Sequence, residues 1–326
     1  MNRRHNNQRI NKAVMISINE AKDNFPSLDI FIIGDIGFDI KGCKKINSLE
    51  EIKNIRNSII ICYFKNDEEQ VKTIKEIKEL GGKFLCPPIA YPIASYIHKN
   101  SNAALALKKS KKDCKDFGLQ YYSAKNYYEG KLKDFINIMQ ALEITKDLEG
   151  DYVEIGTFMG ASGNAALHYL KLSSIKRKCY FIDTFKGFDY LEAKNSVDAH
   201  WPRWPGNEKF NGNIKNSVRK MFDRFNLPYV LKEMNVCVDN IPKEINQIAV
   251  CNLDVDIYDA VLSGLKKVSP LIVNRGIIIV EDPGHTPLLS GAQLALNEFL
   301  ESEEGKRFTP IYMESGQYFL VKSGNN

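Results

Sequence analysis

The sequence predicts an α/β chain built on a mostly parallel, doubly wound sheet with helices on both faces, together with a second, smaller α/β domain. Three observations predict it. From residue 151 onward, short apolar runs that read as strands alternate with stretches of helical period. The first run passes into a glycine-spaced turn, Asp151 to Gly163 (DYVEIGTFMGASG), and the second ends in an acidic residue, Tyr180 to Phe188 (YFIDTFKGF). Two such strand ends in tandem suit an adenosine-type ligand. Between residues 25 and 105 a weaker alternation repeats the pattern on a smaller scale.

Length and composition bound the reading. With 326 residues and 44% hydrophobic content, the chain has room for two domains and a sizeable core. No apolar run follows the basic residues of the first 24 positions, and no window reaches the roughly 20 consecutive apolar residues of a membrane span. A cytoplasmic location is therefore expected. The seven cysteines (Cys43, Cys62, Cys86, Cys114, Cys179, Cys237, Cys251) are scattered without CxxC or Cys/His spacing, so neither a disulfide framework nor a zinc site is expected. Net charge is a modest +5, and its densest run, Lys108 to Lys115 (KKSKKDCK), reads as a solvated helix face. No basic, aromatic-studded groove is visible, so nucleic acid is not an expected partner.

Residues 1–24 are expected to be an N-terminal tail and 25–105 a small Rossmann-like domain. Within it Asp29 to Ile33 reads as a buried strand, Leu49 to Ile55 as a short helix, Ser58 to Phe64 as a strand, Glu68 to Leu80 as an amphipathic helix and Lys83 to Cys86 as a third strand. Gly34-Asp35-Ile36-Gly37 lacks the full GxGxxG and is followed by a poor helix, so it reads as a tight turn. Residues 106–150 read as a helical linker or cap, with four tyrosines (Tyr121, Tyr122, Tyr127, Tyr128) near a break.

The domain at 151–326 follows a regular order. Strands are expected at Tyr152 to Ile155, Cys179 to Asp183, Val230 to Met234, Ile248 to Leu253 and Gly276 to Val280, with a closing hairpin of Thr309 to Tyr312 and Tyr318 to Val321. Helices are expected at Ser162 to Leu172, Ile214 to Phe225, Ala260 to Val268 and Gly291 to Ser302, and an irregular insertion at Gly187 to Asn213. Ligands of such a sheet sit beyond the carboxyl ends of its strands.

Four acidic strand ends carry the chemistry. Glu154 closes the first strand, and the turn from Gly156 to Gly160 leads into a helix whose N–H groups and positive end face whatever binds. Asp183 ends the second strand, where a carboxylate can accept both ribose hydroxyls; a capping role for Asp183 or Thr184 is the alternative. Asp254 and Asp256 flank one residue and point the same way if the chain stays extended. Glu281 and Asp282 follow Asp254 by 27 and 28 residues, on a strand expected to lie alongside. Gathered at one edge, Asp254, Glu281 and Asp282 form an oxygen-only set suited to a hard divalent cation, magnesium above all. A dinucleotide dehydrogenase has no need of them.

The blocks DYVEIGTFMGASG, FIDTFKGF, NLDVDIYDAV and GIIIVEDPGHTPLLSGAQLALNEF are similar in order and spacing to the macrocin O-methyltransferase (TylF-like) family over roughly Leu132 to Leu300. The resemblance implies a Rossmann-like class I methyltransferase fold, S-adenosylmethionine as methyl donor and Mg2+ as a required ion. It implies metal ligation by Asp254, Glu281 and Asp282, and Asp256 as general base. Glu281 and Pro283 depart from the family's paired-acid motif, and His285 is the rival base. The cofactor set expected is Glu154, Gly156, Thr157, Phe158, Gly160, Ser162, Asp183, Thr184, Phe185 and Asp254.

Within the insertion, His200-Trp201-Pro202-Arg203-Trp204-Pro205 holds both tryptophans of the chain; Trp201, Arg203 and Trp204 are expected to cover the acceptor, against the alternative of a proline-stiffened surface loop. The function expected is a divalent-metal-assisted O-methyltransferase acting on a hydroxyl of a sugar or glycosylated substrate. The alternative is a non-catalytic S-adenosylmethionine- or nucleotide-sugar-binding protein on the same fold. Homo-oligomerisation and the role of the smaller domain stay open.

Overall fold

The structure, a computed structural model, describes residues 3–36, 42–64, 66–87, 101–121, 130–199, 214–284, 290–313 and 315–324. The chain divides into two compact units, Met1–Pro92 and Ile93–Asn326.

The stretch expected as a tail is instead a helix, α1 (Arg3–Asn24), within the first unit. Its Val14, Ile18 and Ala21 are fully buried. A spacing of four and three puts them on one narrow stripe, which the surrounding Asn, Lys and Arg conceal from a reading by composition. Strands β1 (Asp29–Gly34), β2 (Lys44–Ile46), β3 (Ser58–Tyr63) and β4 (Lys83–Leu85) form a parallel sheet of order β2-β1-β3-β4. The three-residue strand β2 is one the sequence reading lacks. Alternation along β1 and β3 splits the core in two: Val14 and Ile18 pack with Ile32 and Ile61, whereas Ile33, Ile60 and Cys62 pack with Ile77 of α2 (Asp67–Glu79). In place of the expected helix at 49–55 stand two 3₁₀ turns, Leu49–Glu51 and Ile55–Asn57, the first closed by a capping box between Ser48 and Glu51. Gly34 makes the tight turn after β1. Its φ is +107°, and a Cβ there would lie 2.0 Å from the Tyr63 carbonyl oxygen.

The second unit is a three-layer sandwich. Its seven strands are β5 (Asp151–Ile155), β6 (Cys179–Asp183), β7 (Tyr229–Glu233), β8 (Ile248–Leu253), β9 (Ile272–Val280), β10 (Phe308–Tyr312) and β11 (Tyr318–Lys322). Their order is β10-β11-β9-β8-β5-β6-β7, parallel except for β11, which runs antiparallel to both of its neighbours. The chain winds outward from β5 through β6 to β7, then returns to start β8 on the other side of β5. That reversal places the switch point, where such sheets bind ligands, between β5 and β8.

Strand parity assigns the two faces. Tyr152, Phe181, Val250, Ile277 and Ile279 face α3 (Ser101–Asp116), α4 (Gly130–Ile144), α5 (Ala161–Leu172) and α7 (Ile214–Phe222). Val153, Tyr180, Ile182, Leu253, Ile278 and Val280 face α6 (Leu191–Asn195), α8 (Tyr258–Val268) and α9 (Gly291–Glu301). With both faces covered, β8 (IAVCNL) is buried at every position, as a central parallel strand must be. The segment read as a linker or cap thus supplies α3 and α4 to one of these layers. Among the described residues no helix is long and apolar enough to cross a membrane.

Candidate functional site

At the switch point the ends of β5 and β8 approach so closely that only glycine fits between them. Gly156 has φ +96°, and a Cβ on it would lie 1.6 Å from the Asp254 carbonyl oxygen. The turn it opens is tightly wound: Phe158 also has positive φ, and Gly160, at φ +78°, is the N-cap of α5. A Cβ on Gly163, one turn into that helix, would come within 2.6 Å of the Phe181 ring and 3.0 Å of Glu154 Oε1. The glycines therefore bring bare backbone to the strand ends and seat the helix on the sheet.

Asp183 holds this turn from β6. Its Oδ2 accepts the Phe158 N–H at 2.8 Å and its Oδ1 the Phe185 N–H at 2.6 Å. The backbone-holding role left open by the sequence is thus present, and the remaining lone pairs can still accept from a ligand. Burial raises its pKa, opposed by these two backbone hydrogen bonds. Thr184 donates its hydroxyl to the Gly187 carbonyl and accepts from Lys186 N–H, so it closes the next turn.

Beneath the turn lies a buried polar floor. Glu154 is fully buried, and the Tyr152 hydroxyl donates to its Oε2 at 2.8 Å. Burial pushes its carboxyl up to about 8, against the Tyr152 hydrogen bond and with the help of the Asp254 charge. Asn252 is its register partner on β8, and Ser162 stands nearby on α5; both favour the ionised form. Neither side chain makes a hydrogen bond of good geometry to it, and Glu154 Oε1, both amide atoms of Asn252 and Thr157 Oγ1 have no partner among the described residues. Asn252 went unread in the sequence because it lies inside an apolar run, yet an Asn at a fully buried strand position is the signal that could have found it.

The acidic strand ends converge, with one change of membership. Carboxylate oxygens of Asp254, Asp256 and Asp282 all lie within 4.8 Å of one another. Glu281, expected as a ligand, is outside that set. Its N–H continues the ladder by donating to the Leu253 carbonyl, so it sits in strand phase, whereas Asp282 beyond it turns toward Asp256. The expected extended path across Asp254 and Asp256 is also replaced. Asp256 has φ +60°, and the Ile257 N–H reaches back to the Val255 carbonyl at 2.7 Å, which makes a γ-turn with Asp256 at its centre. The Asp282 carboxylate accepts the Asp256 N–H at 2.7 Å and steadies that turn. Burial raises the Asp282 pKa well above the usual range, and the charges of Asp256, Glu281 and Asp254 raise it further. Three carboxyl groups this close need a proton or a cation among them. His285, Trp201, Arg203 and Trp204 lie outside the described residues.

Comparison with known proteins identifies the family and the fold. The profile of the macrocin-O-methyltransferase (TylF) family matches residues 94–307. The solved structure of the O-methyltransferase NovP shares the fold, with a TM-score of 0.55 at 15% identity over 68% of this chain and 100% of that chain. CalS11, a calicheamicin methyltransferase, aligns with a TM-score of 0.46 at 16% identity over 67% of this chain and 92% of that chain. No curated protein sequence is a significant match.

Proposed function

This chain belongs to the macrocin-O-methyltransferase (TylF) family and is an S-adenosylmethionine-dependent O-methyltransferase, and we propose that its acceptor is a hydroxyl of a sugar or glycosylated small molecule, methylated with the help of a divalent cation. Family membership supports the sugar-borne acceptor, and the observation that carries the cation is the convergence of Asp254, Asp256 and Asp282.

The donor fits the switch-point turn. Backbone N–H groups at the start of α5 suit its amino-acid carboxylate, and Asp183 suits its ribose. S-adenosylmethionine supplies the methyl group, on a sulfonium carbon. The chain's part is to hold donor and acceptor in line, which can contribute much of the rate enhancement.

The cation fits Asp254 and Asp282, hard oxygen donors drawn from adjacent strands. When bound, it supplies positive charge that favours the ionised form of a hydroxyl beside it. Asp256 adjoins both, is partly exposed, and sits on a turn that directs it away from the strand line. In this assignment it takes the proton of the acceptor hydroxyl, and Glu281, which the sequence reading placed on the metal, supports Asp282 from the side. The test is methyl transfer to a panel of sugar acceptors, followed by mass spectrometry, with wild type and Asp256→Asn, in the presence of Mg2+ or EDTA. Wild type with Mg2+ should give a methylated sugar, and Asp256→Asn or EDTA about 100-fold less. Equal product in all samples would remove both the cation and the base.

A further inference from the structure

The insertion between β6 and α7 contributes a residue that the reaction scheme leaves unused. Asp198 is 1% exposed and carries a carboxylate with two backbone partners. Its Oδ2 accepts the Tyr258 N–H at 3.0 Å, and its Oδ1 accepts the Gly291 N–H at 2.9 Å. These are the first residues of α8 and α9, and neither helix has a side-chain cap from its own N-cap residue, Ile257 or Ser290. One carboxylate thus closes two helix N-termini, each of which favours negative charge. A Cβ on Gly291 would lie 1.8 Å from Asp198 Oδ2, so the site is built to admit the carboxylate and nothing larger.

Tyr258 stands two positions after Asp256. The γ-turn at Asp256 holds a non-glycine residue at φ +60°, a conformation that persists only when its surroundings over-determine it. Three bonds do so. Asp254 N–H donates to the Ile155 carbonyl before the turn, Asp256 N–H donates to Asp282 at its centre, and Tyr258 N–H donates to Asp198 after it. Only the last comes from outside the sheet ends, and among the described residues Asp198 makes no hydrogen bond to the 156–160 turn or to Asp183. We propose that Asp198 is a positioning residue for the reaction, holding the turn that presents Asp256 to Asp254 and Asp282 while leaving the donor pocket untouched. This rests on reading those three acids as the cation and proton site.

Asp198→Asn keeps the shape but sets an NH2 group against one of the two backbone donors. The full-length variant and wild type are titrated separately with Mn2+ and with S-adenosylhomocysteine, and amide exchange is followed over residues 254–258, 290–292 and 161–172. The expected result is Mn2+ affinity lower by about 10- to 100-fold, as for residues that orient metal ligands, with S-adenosylhomocysteine affinity unchanged and faster exchange only in the first two segments. Equal weakening of both ligands means a merely structural role and overturns the proposal, as does an unchanged affinity for both. If wild type binds S-adenosylhomocysteine but not Mn2+, the cation reading fails by itself and exchange decides about Asp198: unchanged protection at Tyr258 overturns it. Gly291→Ala, which pushes the same carboxylate aside, should reproduce the split and decides the matter should Asp198→Asn not fold.

Discussion

Replacing Glu154 by glutamine takes a titratable group out of the floor of the site while keeping its shape. Glu154 is fully buried and accepts one hydrogen bond of good geometry, from Tyr152, and burial lifts its carboxyl to about 8. Unfolded, a glutamate titrates near 4.5. The native chain therefore holds a proton that the unfolded chain releases between these values. The associated stabilisation is complete below about pH 4.5 and is lost as pH rises through about 8. At up to about 1.4 kcal/mol per pH unit, the loss from this one group between about pH 5 and about pH 8 is of the order of 3 kcal/mol. Glutamine has no proton to release and keeps an acceptor for Tyr152. Amide exchange over β5 and α5 in increasing denaturant reports on the stability of the larger unit. The variant should match wild type near about pH 5 and gain on it steadily, by about 3 kcal/mol, by about pH 8. Parallel stability curves would refute the reading of a buried, neutral carboxyl beneath the turn.

Further perturbations test the walls of the same site. Gly156→Ala forces a Cβ to within 1.6 Å of the Asp254 carbonyl; titration should find S-adenosylhomocysteine binding abolished, and thermal unfolding a lower midpoint. Gly163→Ala overpacks the Phe181 ring and should destabilise the larger unit by about 1–3 kcal/mol in a denaturant titration. Asp183→Ala leaves the N–H groups of Phe158 and Phe185 without their acceptor, at about 1–3 kcal/mol for each that stays dry, and should weaken S-adenosylhomocysteine at least about tenfold.

Period and punctuation made the larger unit legible in the sequence. Runs such as Ile248 to Leu253 and Ile277 to Val280 are too apolar to belong anywhere but in a covered parallel sheet, and the glycine spacing after Glu154 marked the turn. In the larger unit, what escaped depends on contacts between distant segments. The γ-turn at Asp256 is held at its centre by Asp282 and beyond it by Asp198, partners 26 and 60 residues away that no local pattern in NLDVDIYD announces. Glu281 and Asp282 look equivalent as a pair, yet the ladder bond from Glu281 to Leu253 keeps the one in strand phase while the other turns in. Asp198 gave no signal at all, since its partners are backbone groups 60 and 93 residues away. In the smaller unit the helix at Arg3–Asn24 was hidden because its buried apolar stripe is short, Val14, Ile18 and Ala21 with the polar Ser17 among them, and β2 by its length of three residues.

In the proposed function a donor pocket at the Gly156 turn and a separate acid site at Asp254 and Asp282 lie side by side. Isothermal titration with S-adenosylhomocysteine, with and without Mg2+, on wild type, Asp183→Ala and Asp254→Ala tests it most directly. Wild type should bind both ligands, Asp183→Ala should lose S-adenosylhomocysteine, and Asp254→Ala should lose Mg2+ while still binding S-adenosylhomocysteine. A wild-type protein that binds neither, or an Asp254→Ala variant that binds Mg2+ as wild type does, would contradict it.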